Sequence, residues 1–107
     1  MEKLQLKQGQ GFRGAYALYE DDQTTPINIE ARDVEIKIVN VEKDKAVMTI
    51  LDADIVKSIN IAAFTVEGTD TTTFLGTYKI QVSVDGLDVT DKIISLTPTI
   101  IEYSKTY

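Results

Sequence analysis

Apolar and polar residues alternate along most of this chain, and the alternation predicts a series of short β-strands. The clearest run is "DVEIKIVNV", in which Val34, Ile36 and Ile38 share one face and the residues between them are charged. The run "GTYKIQVSV" repeats the pattern, with alternate residues from Tyr78 to Val84 on one face. A repeat of two residues is the side-chain period of a strand.

Shorter runs with the same period flank these two strands. "KLQLKQ", "FRGAYALYE" and "AVMTIL" each predict a strand, and "IAAFTVEG" is a short apolar run. Gly14 interrupts the second of them, which indicates a bulge or a close backbone approach. The segment "PINI" is predicted as an edge segment, because Pro26 has no amide hydrogen to donate to a ladder.

The stretch "DADIVKSIN" fits a strand less well. Ile55 and Ile59 have the spacing of one helix face, and Asp52 or Asp54 could cap a helix start. One short helical turn is predicted here.

The dipeptide Asp85-Gly86 predicts a two-residue β-hairpin loop, because both residues accept a positive φ. This loop would pair Val84 with Leu87. Continued without interruption, the same register would place Asp91 on the apolar face. One extra residue near Thr90–Lys92 removes the conflict, so a β-bulge is predicted there.

The composition supports an all-β fold. Thirteen Ile, nine Val and thirteen Thr make up about a third of the 107 residues, and β-branched side chains suit a pleated surface. Seven or eight short antiparallel strands, spaced about ten residues apart, are typical of a β-sandwich. The fold is therefore predicted to be one immunoglobulin-like β-sandwich domain over residues 1–107.

Charge and missing residue types exclude several functions. The chain has no His and no Cys, which rules out a Ser-His-Asp triad, a histidine zinc site and a thiolate metal site. The net charge of −6 opposes binding to a phosphate backbone, so no nucleic-acid partner is expected. "MEKLQLKQGQ" lacks the apolar core of a signal peptide, and no apolar stretch is long enough to span a bilayer. No cofactor is predicted.

Carboxylates are the remaining candidates for chemistry. Three groups stand out by spacing: Asp21 with Asp22, Asp52 with Asp54, and the set Asp85, Asp88 and Asp91. Paired carboxyl groups could serve glycoside hydrolysis if one had a raised pKa, and the last set could suggest calcium. All of them lie in predicted turns, where solvated turn residues are the favoured interpretation. No catalytic, cofactor-binding or metal-binding residue is therefore assigned, and the protein is not expected to be an enzyme.

Three tyrosines could form a sugar-binding surface. Tyr16, Tyr78 and Tyr103 lie in strand-like segments, where packing in or near the core is the default. A carbohydrate-binding or adhesion module of immunoglobulin-like fold therefore stays an alternative. The remaining option is a protein–protein module, since the unpaired edges of a sandwich bind other chains.

The order of segments resembles the N-terminal domain of phage baseplate upper proteins. The segments that carry the resemblance are "LKQGQGFRGAYALYEDD", "TPINIEARDVEIKIVN" and "FLGTYKIQVSVDG", which together span most of the chain. The resemblance implies a β-sandwich virion protein without enzymatic activity. It would act in a baseplate, a tail or a capsid accessory structure, and would be assembled in the host cytoplasm.

The expected partners are other virion proteins and further copies of the same chain, because virion parts repeat by symmetry. Two segments are the predicted contact regions, "KLQLKQGQ" at residues 3–10 and "IIEYSKTY" at residues 100–107.

Overall fold

Ten β-strands are present in the computed structural model of the protein, which describes residues 3–95 and 98–105. They are Lys3–Lys7 (β1), Phe12–Leu18 (β2), Val34–Asn40 (β3), Lys45–Ile50 (β4), Val56–Ser58 (β5), Ile61–Val66 (β6), Gly76–Val84 (β7), Leu87–Asp88 (β8), Ile93–Ser95 (β9) and Ile100–Ser104 (β10). Three single-turn 3-10 segments, Asp52–Asp54, Gly68–Asp70 and Thr90–Lys92, join some of them. None of the helical segments in this part of the chain is long and apolar enough to cross a membrane.

The strands form two sheets. The first has the order β1-β10-β7-β3-β4, with β8 beside the end of β7, and the second has the order β5-β6-β2-β9. The predicted all-β class is therefore confirmed as two layers of strands. Aliphatic and aromatic side chains from both sheets fill the space between them, as the buried residues Tyr16, Leu18, Ile36, Ile38, Phe64, Ile80, Val82 and Ile101 illustrate.

The two strands with the clearest alternation form the centre of the first sheet. β3 pairs with β7 along its whole length, with Ile36 opposite Val82 and Ile38 opposite Ile80. The residues on this face are buried in both strands, whereas the intervening residues, apart from the buried Val39, are buried only in part. The predicted inward face of each strand is confirmed.

The predicted hairpin at Asp85-Gly86 is also confirmed, with φ of +51° and +85° at the two loop residues and with Val84 opposite Leu87. The interruption predicted near Thr90–Lys92 occurs at that place but has a different form. It is a 3-10 turn rather than a bulge, and the chain then crosses to the other sheet, where β9 pairs with β2. The crossing puts Ile93 and Ile94 in a new register, so no charged residue has to enter the core.

The structure corrects four sequence predictions. The described chain has ten strands rather than seven or eight, and β1 runs parallel to β10, so the sheets are not wholly antiparallel. The helical turn is limited to Asp52–Asp54, with no side-chain cap, and Ile55 and Ile59 do not share a helix because β5 lies between them. The "PINI" segment is not a strand: it makes an isolated bridge between Tyr19 and Pro26, and Ile29 turns into the core, where its amide donates to the Ile59 carbonyl.

Candidate functional site

A groove of about 660 Å³ opens on the side of the molecule where β4 and β5 are the outermost strands of their sheets. Residues 48–50 of β4 form one wall. Residues 63–65 of β6 and 13–15 of β2 form the other, so the groove lies between an edge of one sheet and the surface of the other.

The groove exists because β5 is too short to cover β6. β5 pairs only with residues 61–63 of β6. The chain between β4 and β5 passes through the Asp52–Asp54 turn, and Ile55 turns into the core before β5 begins at Val56. Within the described chain, residues 64–66 of β6 therefore have a strand partner on the β2 side only. In an antiparallel sheet alternate residues direct their N–H and C=O groups to the same side, so this segment offers backbone groups to a further strand.

Small side chains shape the wall formed by β2 and β6. The ring of Phe64 lies directly on the backbone of Gly14, where an added Cβ would be 2.5 Å from the ring. The same ring contacts Phe12, with centroids 6.1 Å apart, and Tyr16, at 5.8 Å. The close approach predicted at Gly14 is confirmed, since β2 and β6 pair across it without a register shift. Gly14 thus lets a large aromatic ring close the inner end of the groove.

Apolar side chains surround the groove. Val56, which lines it, is 71% exposed, and Met48 is half-buried beside it. Val47 and Leu51, which belong to β4 and to the residue after it, are also exposed. Isolated exposed apolar residues such as these two are ordinary. Val56 and Met48 differ from them because both line the groove at an open strand edge.

Three carboxylates line the same groove. Asp54 precedes β5, whereas Glu67 and Asp70 follow β6. Val56 pairs with Ala63 and Glu67 follows Val66, so the carboxylates lie at the two ends of the 64–66 segment. Arg13 is the one cationic residue among the lining residues of the described chain. No ion pair of the described residues involves any of these four side chains.

The acidic residues singled out in the sequence are dispersed, and five of the seven (Asp21, Asp22, Asp52, Asp85 and Asp88) make hydrogen bonds or ion pairs within local structure. Asp22 accepts hydrogen bonds from the amides of Thr24 and Thr25, at 2.9 and 2.8 Å, and from the Thr25 hydroxyl at 2.6 Å. The Thr25 hydroxyl contributes most, and together these bonds lower the pKa of Asp22 to about 2. Asp21 instead forms an ion pair with Lys92, at 3.1 Å.

Asp52 and Asp54 also differ from each other in their surroundings. Asp52 accepts hydrogen bonds from Lys57 Nζ at 2.8 Å and from the Val34 amide at 2.9 Å. The Lys57 ammonium, first, and the Val34 amide lower the pKa of Asp52. Asp52 thereby joins β3, β5 and the intervening turn, while Asp54 lies exposed at the groove.

The three residues of the third acidic set, Asp85, Asp88 and Asp91, do not form one cluster either. Asp85 accepts from the Asp33 amide at 3.0 Å and from Arg32 Nε at 2.7 Å, and these bonds lower its pKa. Asp88 accepts from the hydroxyl of Thr90 at 2.6 Å and from its amide at 2.9 Å, which likewise lowers its pKa.

The directions of these pKa shifts are opposite to the one that glycoside hydrolysis requires of its acid. A glycosidase acid requires a raised pKa, and four of the candidate carboxyl groups (Asp22, Asp52, Asp85 and Asp88) have a lowered one. Among the described residues, no group of three or more acidic side chains is close enough together to hold a metal ion.

The three tyrosines considered for sugar binding are all buried, Tyr16 at 0%, Tyr78 at 3% and Tyr103 at 2% exposure. The Tyr103 hydroxyl donates to the Gln10 carbonyl at 2.7 Å, and the Tyr16 hydroxyl donates to the Pro98 carbonyl at 3.2 Å. Tyr78 stacks on Phe74 with ring centroids 4.8 Å apart. The default interpretation of core packing is confirmed for all three, so none of them presents a flat ring to a sugar.

The two predicted contact segments lie next to each other. β1 and β10 pair in parallel, with Lys3 opposite Ile100 and Lys7 opposite Ser104. β10 is an inner strand between β1 and β7, so of the two only β1 has a free edge. The last two residues of the second segment, 106 and 107, lie outside the described residues.

The sequence did not indicate the groove, although it contained two signs of it. The sequence indicates the short apolar run "IAAFTVEG", but the spacing of Ile55 and Ile59 before it predicts a helical turn. An edge strand that stops early was therefore not predicted. The sequence singles out Asp54 only as a candidate for chemistry or for helix capping, and no pattern in it singles out Glu67 or Asp70.

Comparison with known proteins finds no matching family model, no matching curated protein and no matching solved structure. The resemblance to baseplate upper proteins stays a prediction that rests on the quoted sequence segments.

Proposed function

We propose that this protein is a docking module of a phage or prophage particle, in a baseplate, a tail or a capsid accessory structure, that binds a neighbouring protein chain without chemistry. The observation that supports docking most directly is the uncovered 64–66 segment of β6 beside an apolar groove. Strand addition at such an edge provides main-chain hydrogen bonds, and pockets for alternate side chains provide specificity.

Burial of the exposed apolar side chains would supply the main driving force. Transfer of apolar surface out of water contributes about 25 cal/mol per Å². Val56, which is 71% exposed, and the half-buried Met48 hold apolar surface of this kind in the groove. A partner chain in the groove would remove it from water and would satisfy the free backbone groups of β6 in the same step.

The assignment to a phage particle rests on the resemblance of the sequence segments quoted above. Two further features agree with it. The net charge of −6 disfavours packaged nucleic acid as the partner, and a single small module suits repetition by symmetry. Other virion proteins and further copies of this chain are therefore the proposed partners.

We also propose that the two sheets have immunoglobulin-like connectivity. In that fold the variable-type sheet has the order G-F-C-C′, which corresponds to β10-β7-β3-β4 here. The order β5-β6-β2 corresponds to D-E-B of the opposite sheet. The added strands β8 and β9 lie between the counterparts of F and G.

Mass spectrometry of particles purified from the strain that carries the gene tests the proposed function. We expect this chain in the particle fraction at several copies per particle. The variant Val56→Arg places a charge in the groove and is expected to reduce incorporation at least tenfold. Leu87→Arg is the matched control, because Leu87 is 70% exposed on the hairpin at the end of β7 and lies outside the groove.

Recovery of the chain only in the particle-free fraction would contradict a virion role. Specific binding on a glycan array would favour the carbohydrate-binding alternative instead. Equal incorporation of the two variants would remove the groove from the proposed mechanism.

A further inference from the structure

We infer that the groove binds an extended segment of a partner protein in which apolar and basic residues alternate, and that this segment joins the second sheet as a strand beside residues 64–66 of β6. The inference rests on the proposed docking function and specifies the chemistry of the partner. It follows from the backbone, the apolar wall and the charges of one site.

The backbone determines that the ligand is extended. β5 already pairs with β6 at residues 61–63, and no strand of the described chain pairs with residues 64–66 on the same side. The opposite wall is residues 48–50 of β4, which pair with β3 on one side and, among residues 3–95 and 98–105, have no strand on the other. A peptide strand fits between two such edges because it can donate and accept hydrogen bonds along its length.

The alternation follows from the two sides of the site. Successive side chains of a strand point to opposite faces. One set would contact Met48 and Phe64 in the groove, which calls for apolar residues. The other set would face solvent, where the exposed carboxylates of Asp54, Glu67 and Asp70 lie at either end of the segment.

The charge of the site selects basic residues for that second set. Three carboxylates face a single cation, Arg13, and no ion pair of the described residues neutralises them. The nearest lysine on β5 is already engaged, since Lys57 Nζ lies 2.8 Å from Asp52 and 2.6 Å from the Arg32 carbonyl. Lysine or arginine from a partner would complement the carboxylates.

A second copy of this chain is the less suitable occupant. Its β1, "KLQLK", has the required chemistry, but five residues of β1 pair with β10 in its own fold, and Leu4 and Leu6 pack against its core. Release of β1 would expose that core. We therefore assign the groove to a different protein.

Binding of two synthetic nine-residue peptides, one alternating valine with lysine and one alternating valine with glutamate, tests the inference. Isothermal titration gives the affinity, and amide chemical shifts locate the site. We expect the lysine peptide to bind at least tenfold more tightly and to shift amides of residues 64–67 and 48–50. Methylation of alternate backbone nitrogens of the peptide should abolish binding, because strand addition needs those N–H groups.

Charge variants distinguish the effect of the groove carboxylates on binding from the effect of the overall negative charge. Asp54→Asn, Glu67→Gln and Asp70→Asn together should weaken binding of the lysine peptide about tenfold, since each exposed charge pair contributes a small part of the affinity. The matched control combines Glu30→Gln, Glu42→Gln and Asp91→Asn, which lie outside the groove and remove the same charge. The control should change the affinity less than twofold.

Equal weakening by both triple variants would overturn the inference, as would shifts confined to β1. A concentration-dependent dimer whose shifts map to the groove would also overturn it, because a second copy would then be the occupant. The proposed function is tested separately. If Val56→Arg is excluded from particles while neither peptide binds, the docking role stands and this inference fails. If both variants enter particles equally while the lysine peptide binds the groove, this inference stands and the groove has no part in docking to the particle.

Discussion

At the scale of single residues, Gly14 leaves room on β2 for the ring of Phe64 from the paired strand β6. Gly14→Ala would place a Cβ 2.5 Å from the buried ring of Phe64. Overpacking of this kind costs about 1–3 kcal/mol, so we expect Gly14→Ala to lower the free energy of unfolding by that amount in urea denaturation. In the double variant Gly14→Ala with Phe64→Leu, the smaller side chain should make the two losses less than additive. Strict additivity would show that the ring is not the source of the strain.

Ile59 occupies a backbone conformation that suits glycine better than a β-branched residue. Its φ is +53° in the loop between β5 and β6, and its side chain is 57% exposed. The left-handed region costs an L-residue about 1–2 kcal/mol, and little buried surface offsets that cost here. We expect Ile59→Gly to raise the free energy of unfolding by about 1 kcal/mol, measured by urea denaturation.

Leu51 is the matched control for Ile59. It is also 57% exposed, but its φ is −85°, which any residue adopts readily. Leu51→Gly should lower the stability, because the unfolded chain gains freedom without any relief of strain. If both glycine variants lost stability, the backbone of Ile59 would not be strained.

At the scale of elements, one hydroxyl completes the edge of β7. β10 pairs with the first part of this edge and β8 with its last part. Between them the Val82 amide donates to the Thr90 hydroxyl at 3.0 Å. Thr90→Val would leave that amide without its acceptor, and we expect a loss of about 1–3 kcal/mol in the free energy of unfolding. Thr90→Ser keeps the hydroxyl and should retain most of the stability, whereas equal losses would place the role of Thr90 in its methyl group.

The same segment shows how far the sequence predicts an element. The alternation of apolar residues predicts the hairpin, and it predicts that the strand register is interrupted near Thr90–Lys92. It did not reveal that the chain leaves the sheet at Thr90–Lys92, because a bulge and a crossing both shift the pattern by one residue. Whether the chain forms a bulge or crosses to the other sheet depends on which sheet has a strand with an unpaired edge. Here β2 has one, and β9 pairs with it. That information lies in the packing of distant strands rather than in the local pattern.

The local sequence pattern does not predict β5 or the groove, for a related reason. A strand of three residues is too short to show a period, and Ile55 and Ile59 happened to have helical spacing. The parallel pairing of β1 with β10 joins residues almost a hundred positions apart, which local patterns do not encode. The candidate site depends on where β5 ends and on where β4 lies in the other sheet. The sequence shows the residues of the site but does not show that the fold brings them together.

At the scale of the whole molecule, the acidic turns predict how stability depends on pH. The pKa of Asp22, Asp52, Asp85 and Asp88 is lowered in the folded state, to about 2 for Asp22. In the unfolded chain an Asp pKa is about 3.9. Between these values the unfolded state binds more protons, so stability falls as the pH falls. The contribution is complete above about pH 5 and is lost progressively towards pH 2.

Urea denaturation from pH 7 to pH 2 measures this dependence. We expect a constant midpoint near neutral pH with respect to these four groups and a steady decline below about pH 4. Asp22→Asn should make the decline shallower, because the variant removes one group that takes up a proton on unfolding. A variant profile parallel to that of the parent chain would contradict the role of Asp22.

The parallel contact of β1 with β10 determines how the molecule would bear tension. Lys3 begins one strand and Ser104 ends the other, so a pull on these two points slides the strands in opposite directions along their shared length. The hydrogen bonds between them are then loaded together rather than broken one after another. Forced unfolding is governed by the unfolding rate, so this geometry should make the protein mechanically resistant even where its equilibrium stability is modest.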